Sequence, residues 1–200
     1  MSGRSPRWIS EIKRGGLPSG YTQLEYIQSL GTQYIDTGFK PNQNSRVVFD
    51  FFPVSVGQTH LFGSRSSNSA SDYFLVLCTG GYYRDDYASS KTVTNIAPTD
   101  RMVIDKNKNV VSFGSKTYTH PAATFTGVYP IALFASNTGG NISYMTNIRL
   151  YSCKIYDNGV LARDFIPCKN ASGVIGLWDD VEKVFYQNAG TGTFTAGPAA

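Results

Sequence analysis

From Tyr21 onward, apolar and polar residues alternate in short runs that are typical of half-buried β-strands. Within residues 46–52, Val47, Phe49 and Phe51 fall on one face of a strand, and the residues between them fall on the other. No window of about a dozen residues keeps its apolar residues at the helical spacing. The pattern therefore predicts an all-β protein in which helix is scarce.

Turn residues separate these runs and indicate how the strands connect. Residues 106–109 predict a polar hairpin loop, and residues 157–160 predict a type I′ hairpin that pairs Ile155 with Ala162 and Tyr156 with Leu161. Many short strands, with no helices to cover a parallel sheet, predict two antiparallel sheets packed face to face. The remaining predicted strands lie at residues 60–63, 73–78, 101–105, 110–113, 129–135, 147–156, 174–178 and 184–187.

Composition and charge favour one folded domain behind a basic N-terminal arm. Apolar residues make up 41% of the 200-residue chain and charged residues 16%, a balance that can bury a substantial core. The net charge is +4, and four basic residues against Glu11 place +3 of it before residue 17, which leaves +1 for the rest. That remainder is too small to neutralise several phosphates, so we expect no nucleic-acid partner. We assign residues 1–16 to the arm and residues 17–200 to a β-sandwich domain.

The arm has two interpretations. It is either a flexible, solvated leader or a segment that docks on a partner protein through Arg7, Trp8 and Ile12. The chain has no apolar stretch long enough to span a bilayer, and its N-terminus lacks the apolar region of a secretory signal. We therefore expect no membrane insertion and no direct secretion. Assembly into a virus particle released by lysis is one other route out of a cell.

The three cysteines are expected to be free, buried thiols. Cys78, Cys153 and Cys168 cannot all pair with each other, and none has the close spacing of a zinc or redox motif. Counting outward from the 157–160 turn places Cys153 opposite Asp164. Cys168 then lies too far along the strand to form a disulfide bond with Cys153.

Segments spread over most of residues 17–198 share the pattern of a known domain type. These segments are residues 21–27, 31–38, 61–65, 131–137, 154–159, 163–167 and 190–194. In them the chain resembles the concanavalin A-like/laminin G-like domains of phage structural proteins and of surface proteins of gut bacteria. The resemblance implies a jelly-roll sandwich of the lectin/glucanase type and adhesion to glycans or proteins, although a fold alone does not fix a function.

Sandwiches of this type often bind calcium, which the resemblance leaves open as a cofactor here. Calcium is held by carboxylate, amide and carbonyl oxygens from loops. No fixed-spacing motif selects a ligand set, so we assign no metal site. The candidate oxygens belong to Asp36, Asp72, Asp85, Asp86, Asn137 and Asn141.

The sequence offers little for catalysis. Retaining glycosidases need two carboxylates about 5 Å apart, and related laminarinase-type enzymes supply them from a Glu-x-Asp-x-Glu strand that this chain lacks. The acidic residues at 85–86 and 179–182 are typical of solvated turns. His60 and His120 are the only imidazoles, and neither neighbours a nucleophile motif. We therefore expect no enzymatic activity, and glycoside hydrolysis is the less favoured alternative.

Sugar binding needs aromatic faces beside planar polar groups, and residues 82–87 offer both. The candidate glycan contacts are Tyr82, Tyr83, Arg84, Asp85, Tyr87 and Trp178. In the alternative interpretation, residues 82–87 form a strand whose tyrosines alternate between core and surface. Arg84 then pairs with Asp85 or Asp86, and Trp178 plugs the sandwich. Arg65 is expected to have a structural role.

These expectations combine into a noncatalytic recognition module that binds a cell-surface glycan. We expect display on a phage particle, where another virion protein holds the arm, or alternatively on a bacterial cell surface. The alternative from a different class is a structural virion decoration or assembly protein that contacts only protein neighbours. Homo-oligomerisation is left open.

Overall fold

The computed structural model describes residues 16–55 and 57–200. These residues form strands, turns and loops and contain no α-helix, as the alternation predicted. In the same residues, no helix has the length and apolar character to cross a membrane. The strands of the described residues are β1 (Thr22–Gln23), β2 (Ile27–Gln28), β3 (Ile35–Asp36), β4 (Arg46–Ser55), β5 (Thr59–Arg65), β6 (Tyr73–Thr79), β7 (Tyr82–Ala88), β8 (Ser90–Val93), β9 (Met102–Asn107), β10 (Val110–Phe113), β11 (Lys116–Thr119), β12 (Ala132–Leu133), β13 (Ser136–Thr138), β14 (Asn141–Ser143), β15 (Asn147–Asp157), β16 (Val160–Lys169), β17 (Ile175–Asp179), β18 (Val184–Gln187) and β19 (Thr195–Ala196).

The strands form two sheets that pack face to face. The first sheet has the order β11-β10-β9-β4-β15-β16-β17-β18, with β1 paired to β16, β2 paired to β15, and β19 paired to β2. The second sheet has the order β14-β13-β5-β6-β7-β8, and β12 joins it between β5 and β3. The strand pairings are antiparallel except for β13, which runs parallel to β5. The predicted antiparallel two-sheet sandwich of jelly-roll type is therefore confirmed.

The core lies between the sheets and is rich in aromatic rings. Val47, Phe49 and Phe51 of β4 are buried on its inner face, as their spacing predicted. The ring of Phe49 lies 5.0 Å from that of Phe62 in β5, and the ring of Phe51 lies 5.9 Å from that of Tyr83 in β7. Burying each such side chain contributes about 1.5–3 kcal/mol, so these contacts between strands of different sheets hold the layers together.

The hairpin between β15 and β16 has the predicted turn but a shifted register. The two residues at its tip have φ angles of 49° and 84°, as a type I′ turn requires, and Tyr156 pairs with Leu161 as expected. A β-bulge next to this pair then places Ile155 opposite Arg163 rather than Ala162. The turn residues therefore predict the tip of the hairpin correctly, whereas nothing in the sequence pattern predicts the bulge further along.

The same bulge changes the surroundings of the cysteines. Cys153 lies opposite Phe165 rather than Asp164, which corrects the predicted register by one residue. Cys78, Cys153 and Cys168 are all buried and free, as expected. Burial raises the pKa of Cys78 to about 12 and that of Cys168 to about 12, so these thiols stay protonated at neutral pH.

One predicted strand is mostly absent. The strand expected at residues 129–135 reduces to β12, because Phe134 has a φ angle of 66° and leaves the extended conformation. The backbone N–H of Ile131 is donated to the carbonyl of Phe39, outside the ladder of β12. Pro130 has no N–H to donate to a sheet. The apolar run therefore marks buried residues correctly but not their backbone conformation.

Candidate functional site

Strand β7 contains five of the six candidate glycan contacts and determines which of them reach the surface. Tyr83, Asp85 and Tyr87 face inward and are buried, whereas Tyr82 and Arg84 face outward. The inward side chains have no surface to present to a sugar, so their prediction as glycan contacts is corrected. The alternative interpretation, a strand with tyrosines in both core and surface, is confirmed: Tyr83 and Tyr87 are buried and Tyr82 is exposed.

Trp178, the sixth candidate, is also covered. It lies in β17 with 8% of its surface exposed, and its ring contacts that of Tyr21 at a centroid distance of 5.2 Å. Phe185 packs on the same tyrosine at 5.4 Å. Because a covered indole cannot stack on a sugar, this prediction is corrected in favour of a packing role. The docking candidates Arg7, Trp8 and Ile12 lie outside the described residues.

The four aspartates among the candidate calcium ligands are engaged in other contacts. Asp85 and Asp86 are buried and each paired with a cation, so they are not the solvated turn carboxylates that the sequence predicted. Asp72 accepts hydrogen bonds from the backbone and side chain of Ser66, and Asp36 accepts one from a backbone N–H. Over residues 16–55 and 57–200, no group of three or more His, Cys, Asp or Glu side chains is placed to hold a metal ion.

A polar groove of about 180 Å³ opens on the outer face of the second sheet. Leu77 of β6 gives it an apolar floor and packs in a small cluster with Tyr73 and Leu75 on this outer face. Charged and aromatic side chains from β5, β7 and the segment after β14 surround that floor. The polar and aromatic residues that line the groove are Gln58, His60, Arg65, Thr79, Arg84 and Tyr144.

Tyr144 and His60 form one wall of the groove. Their rings stack at a centroid distance of 4.5 Å with an interplanar angle of 19°. The backbone N–H of His60 also donates a hydrogen bond to the backbone carbonyl of Tyr144 over 2.7 Å. Tyr144 has a φ angle of 55°, a conformation that costs a bulky residue about 1–3 kcal/mol and persists only when its surroundings hold it. Tyr144 is 53% exposed, so part of its ring remains open to a ligand.

His60 is neutral at physiological pH. Burial lowers its pKa to about 3, and the positive charges of Arg65 and Arg84 act in the same direction. Its Nδ1 atom lies 2.6 Å from Oγ of Ser136, which orients the ring. The imidazole therefore contributes a polar edge to the groove without adding charge.

The two arginines of the groove differ in how their charges are balanced. Arg84 forms a two-pronged ion pair with Asp86, with nitrogen–oxygen distances of 2.6 and 2.5 Å. Arg65 donates its Nε–H to Oγ1 of Thr138 over 3.0 Å, and its guanidinium lies 5.4 Å from the centre of the Tyr73 ring. Among the described residues, no carboxylate forms a salt bridge with Arg65.

The groove therefore carries a net positive charge. Arg65 and Arg84 supply two positive charges, Asp86 supplies one negative charge and His60 supplies none, which leaves one positive charge over. Arg65 is only 9% exposed, so water and salt screen its charge less than they would on an open surface. An anionic group is the ligand chemistry that complements this site.

Sequence reasoning finds only part of this surface. It selects Arg84, places His60 in a predicted strand, gives Arg65 a structural role, and misses Tyr144. These residues come from β5, β7 and the segment after β14, so no local motif joins them. The one local signal is Arg65, a charged residue at the end of a strand whose other side chains carry no charge.

No protein-family model matches this chain, and no curated protein matches it. The resemblance to concanavalin A-like domains stays a prediction. A β-sandwich hosts many unrelated functions, so we infer function from the chemistry of the groove.

Proposed function

We propose that the protein is a noncatalytic recognition module that binds an acidic saccharide of a cell-surface glycan in the polar groove of the second sheet. The observation that carries the proposal is Arg65, a nearly buried guanidinium with no carboxylate partner among the described residues. The Arg65 guanidinium has N–H groups that do not donate to Thr138. A ligand carboxylate that accepts hydrogen bonds from them balances the charge of Arg65.

The neutral part of a sugar also suits the groove. A pyranose ring has an apolar C–H side that an aromatic face covers, and hydroxyl groups that planar polar side chains bind. Tyr144 supplies the aromatic face, while Gln58 and His60 supply polar groups. The groove of about 180 Å³ is smaller than the ~300–1,000 Å³ of typical ligand pockets, which favours one sugar unit at a chain end or branch.

The lining residues favour binding over cleavage. Glycosidases use two carboxyl groups about 5–9 Å apart on either side of the scissile bond. None of the residues that line the groove is a carboxylic acid. The neighbouring carboxylate of Asp86 is fully buried, and Arg84 holds both of its oxygens.

A glycan array that carries uronic acids, sialic acids and matched neutral sugars tests the proposal. The protein is displayed in multimeric form, because multivalent display makes weak contacts measurable. We expect acidic sugars to bind and their neutral counterparts to bind about tenfold more weakly or not at all, since a hydrogen bond to a charged group contributes about 1.5–3 kcal/mol. Calorimetry on the best sugar then gives its affinity.

Variants identify the groove as the binding site. We expect Arg65→Gln to weaken binding about tenfold or more, and Tyr144→Ala to weaken it through loss of the aromatic face. Arg149→Gln is the matched control, because Arg149 stacks on the Tyr26 ring at 4.9 Å on the first sheet and forms no salt bridge with a described residue. Equal binding by Arg65→Gln and the unaltered protein would reject the proposed site.

The biological setting stays a prediction. Display on a phage particle depends on residues 1–16, whose docking candidates lie outside the described residues. A folded protein that binds no saccharide on the array would favour the alternative of a decoration protein with only protein neighbours.

A further inference from the structure

A buried cluster of three titratable side chains connects the two sheets away from the groove. Lys106 belongs to β9 of the first sheet, Asp85 belongs to β7 of the second, and His120 follows β11. Nζ of Lys106 lies 2.7 and 2.9 Å from the two carboxyl oxygens of Asp85, and Nε2 of His120 lies 2.8 Å from Oδ2 of Asp85. All three side chains are inaccessible to solvent or nearly so.

Aromatic rings enclose this cluster. Nζ of Lys106 lies 4.7 Å from the centre of the Phe74 ring and 5.5 Å from that of Tyr87. Nζ of Lys106 also donates a hydrogen bond to the backbone carbonyl of Asp86 over 3.3 Å. Burial lowers the pKa of the Lys106 ammonium, while the Asp85 carboxylate opposes the shift. Such surroundings favour uncharged partners over a separated ion pair.

We propose that Lys106 and Asp85 condense into an intramolecular isopeptide bond that joins the two sheets covalently. The geometry brings a primary amine and a carboxyl group together in a dry, aromatic pocket. With both oxygens within 2.9 Å of Nζ, the carboxyl carbon between them lies within the roughly 3–3.5 Å of a near-attack arrangement. The condensation needs no external reagent.

The atoms of the reaction balance within the cluster. One proton passes from the Lys106 ammonium to the Asp85 carboxylate, which gives a neutral amine and a carboxylic acid. The Nζ lone pair forms a bond to the carboxyl carbon, and the C=O electron pair moves to oxygen. When the C=O bond forms again, Oδ2 leaves as water with a second proton from nitrogen. His120, which contacts Oδ2, relays this second proton: its imidazole accepts the proton from nitrogen, passes it to Oδ2 and ends unchanged.

Intact mass spectrometry of the denatured, full-length protein tests the proposal directly. We expect the protein to be lighter by one water molecule than its sequence, and a protease digest to contain one branched peptide that joins Lys106 to Asp85. A folded and aged sample with the full sequence mass would overturn the proposal. This outcome needs no variant, so a variant that fails to fold cannot obscure it.

An internal control lies in the same digest. Lys154 and Asp164 are at least as close, with 2.5 Å between Nζ and Oδ2, but both side chains are partly exposed to water. We expect these two residues to be recovered in unlinked peptides, because water reaches both groups. Linkage of this exposed pair as well would show that proximity alone, and not the dry pocket, causes condensation, and would overturn the mechanism.

Variants test the role of each group. We expect Lys106→Met to have its full sequence mass, and Asp85→Asn to lose ammonia instead of water if it reacts. His120→Gln is expected to fold and to condense about a hundredfold more slowly, because the departing oxygen lacks its proton donor. A mass deficit of one water that persists in Lys106→Met would place the reaction elsewhere and overturn the assignment. Saccharide binding in the groove plays no part in this reaction.

Discussion

At the residue scale, burial affects the charges of Arg65 and His60 in the groove differently. A guanidinium keeps its charge in proteins, so Arg65 stays positive although it is almost covered. His60 loses its charge instead, because burial and the two neighbouring arginines lower its pKa to about 3. The positive charge of the groove therefore does not depend on His60 across the physiological pH range.

The lowered pKa of His60 predicts a loss of stability in acid. The unfolded chain takes up a proton near pH 6.5, whereas the folded protein resists it down to about pH 3, so the free energy of unfolding falls as pH drops through this window. We expect the unaltered protein to lose on the order of 3 kcal/mol more than His60→Asn between pH 7 and pH 4. Urea unfolding at several pH values measures this difference. Parallel pH profiles for the two proteins would contradict it.

At the element scale, local patterns predict where strands and turns lie, but not which distant residues they meet. The alternation in residues 46–52 identifies β4 and its buried face, and the residues at the tip of the β15–β16 hairpin identify its turn. The sequence predicts a polar loop that starts at Lys106, but the strand β9 extends through this residue and turns its side chain inward. The groove could not be predicted, because β5 receives its neighbour Tyr144 from a distant part of the chain.

A close approach between β5 and β6 makes Gly63 hard to replace. Gly63 has a φ angle of 141°, and a Cβ atom there would lie 2.2 Å from Cβ of Leu75. Gly159 is the matched control, since it has a φ angle of 84° but no atom of a described residue within 4 Å of its Cβ position. We expect Gly63→Ala to cost about 3–5 kcal/mol and Gly159→Ala about 1–2 kcal/mol. Urea unfolding of both variants measures the difference, and equal costs would show that β5 adjusts freely.

At the scale of the whole molecule, the two sheets serve different roles. The first sheet carries the long central strands β4 and β15, while the second carries the groove on its outer face. Their shared interior holds aromatic rings and also the cluster of Lys106, Asp85 and His120. Sequence alone gave no reason to connect these three residues, because only the packing of the sheets brings β7, β9 and the segment after β11 together.

A covalent link between the sheets predicts a change in the unfolded state as well as in the folded one. The isopeptide bond would close a loop of about 20 residues and so stabilise the protein by about 3 kcal/mol through lost chain entropy. We expect the Lys106→Met, Asp85→Asn double variant to lose that amount and to show a larger urea m-value, because its unfolded chain is no longer cross-linked and exposes more surface.

The matched control for this experiment is the double variant Arg46→Gln, Asp105→Asn. It removes a partly exposed ion pair within the first sheet, with 2.6 Å between its closest atoms. An ion pair of this kind contributes about 1 kcal/mol or less, and its removal leaves the unfolded chain unchanged. An unchanged m-value in the Lys106→Met, Asp85→Asn variant would show that Lys106 and Asp85 form only an ion pair, since breaking noncovalent contacts alters the folded state alone.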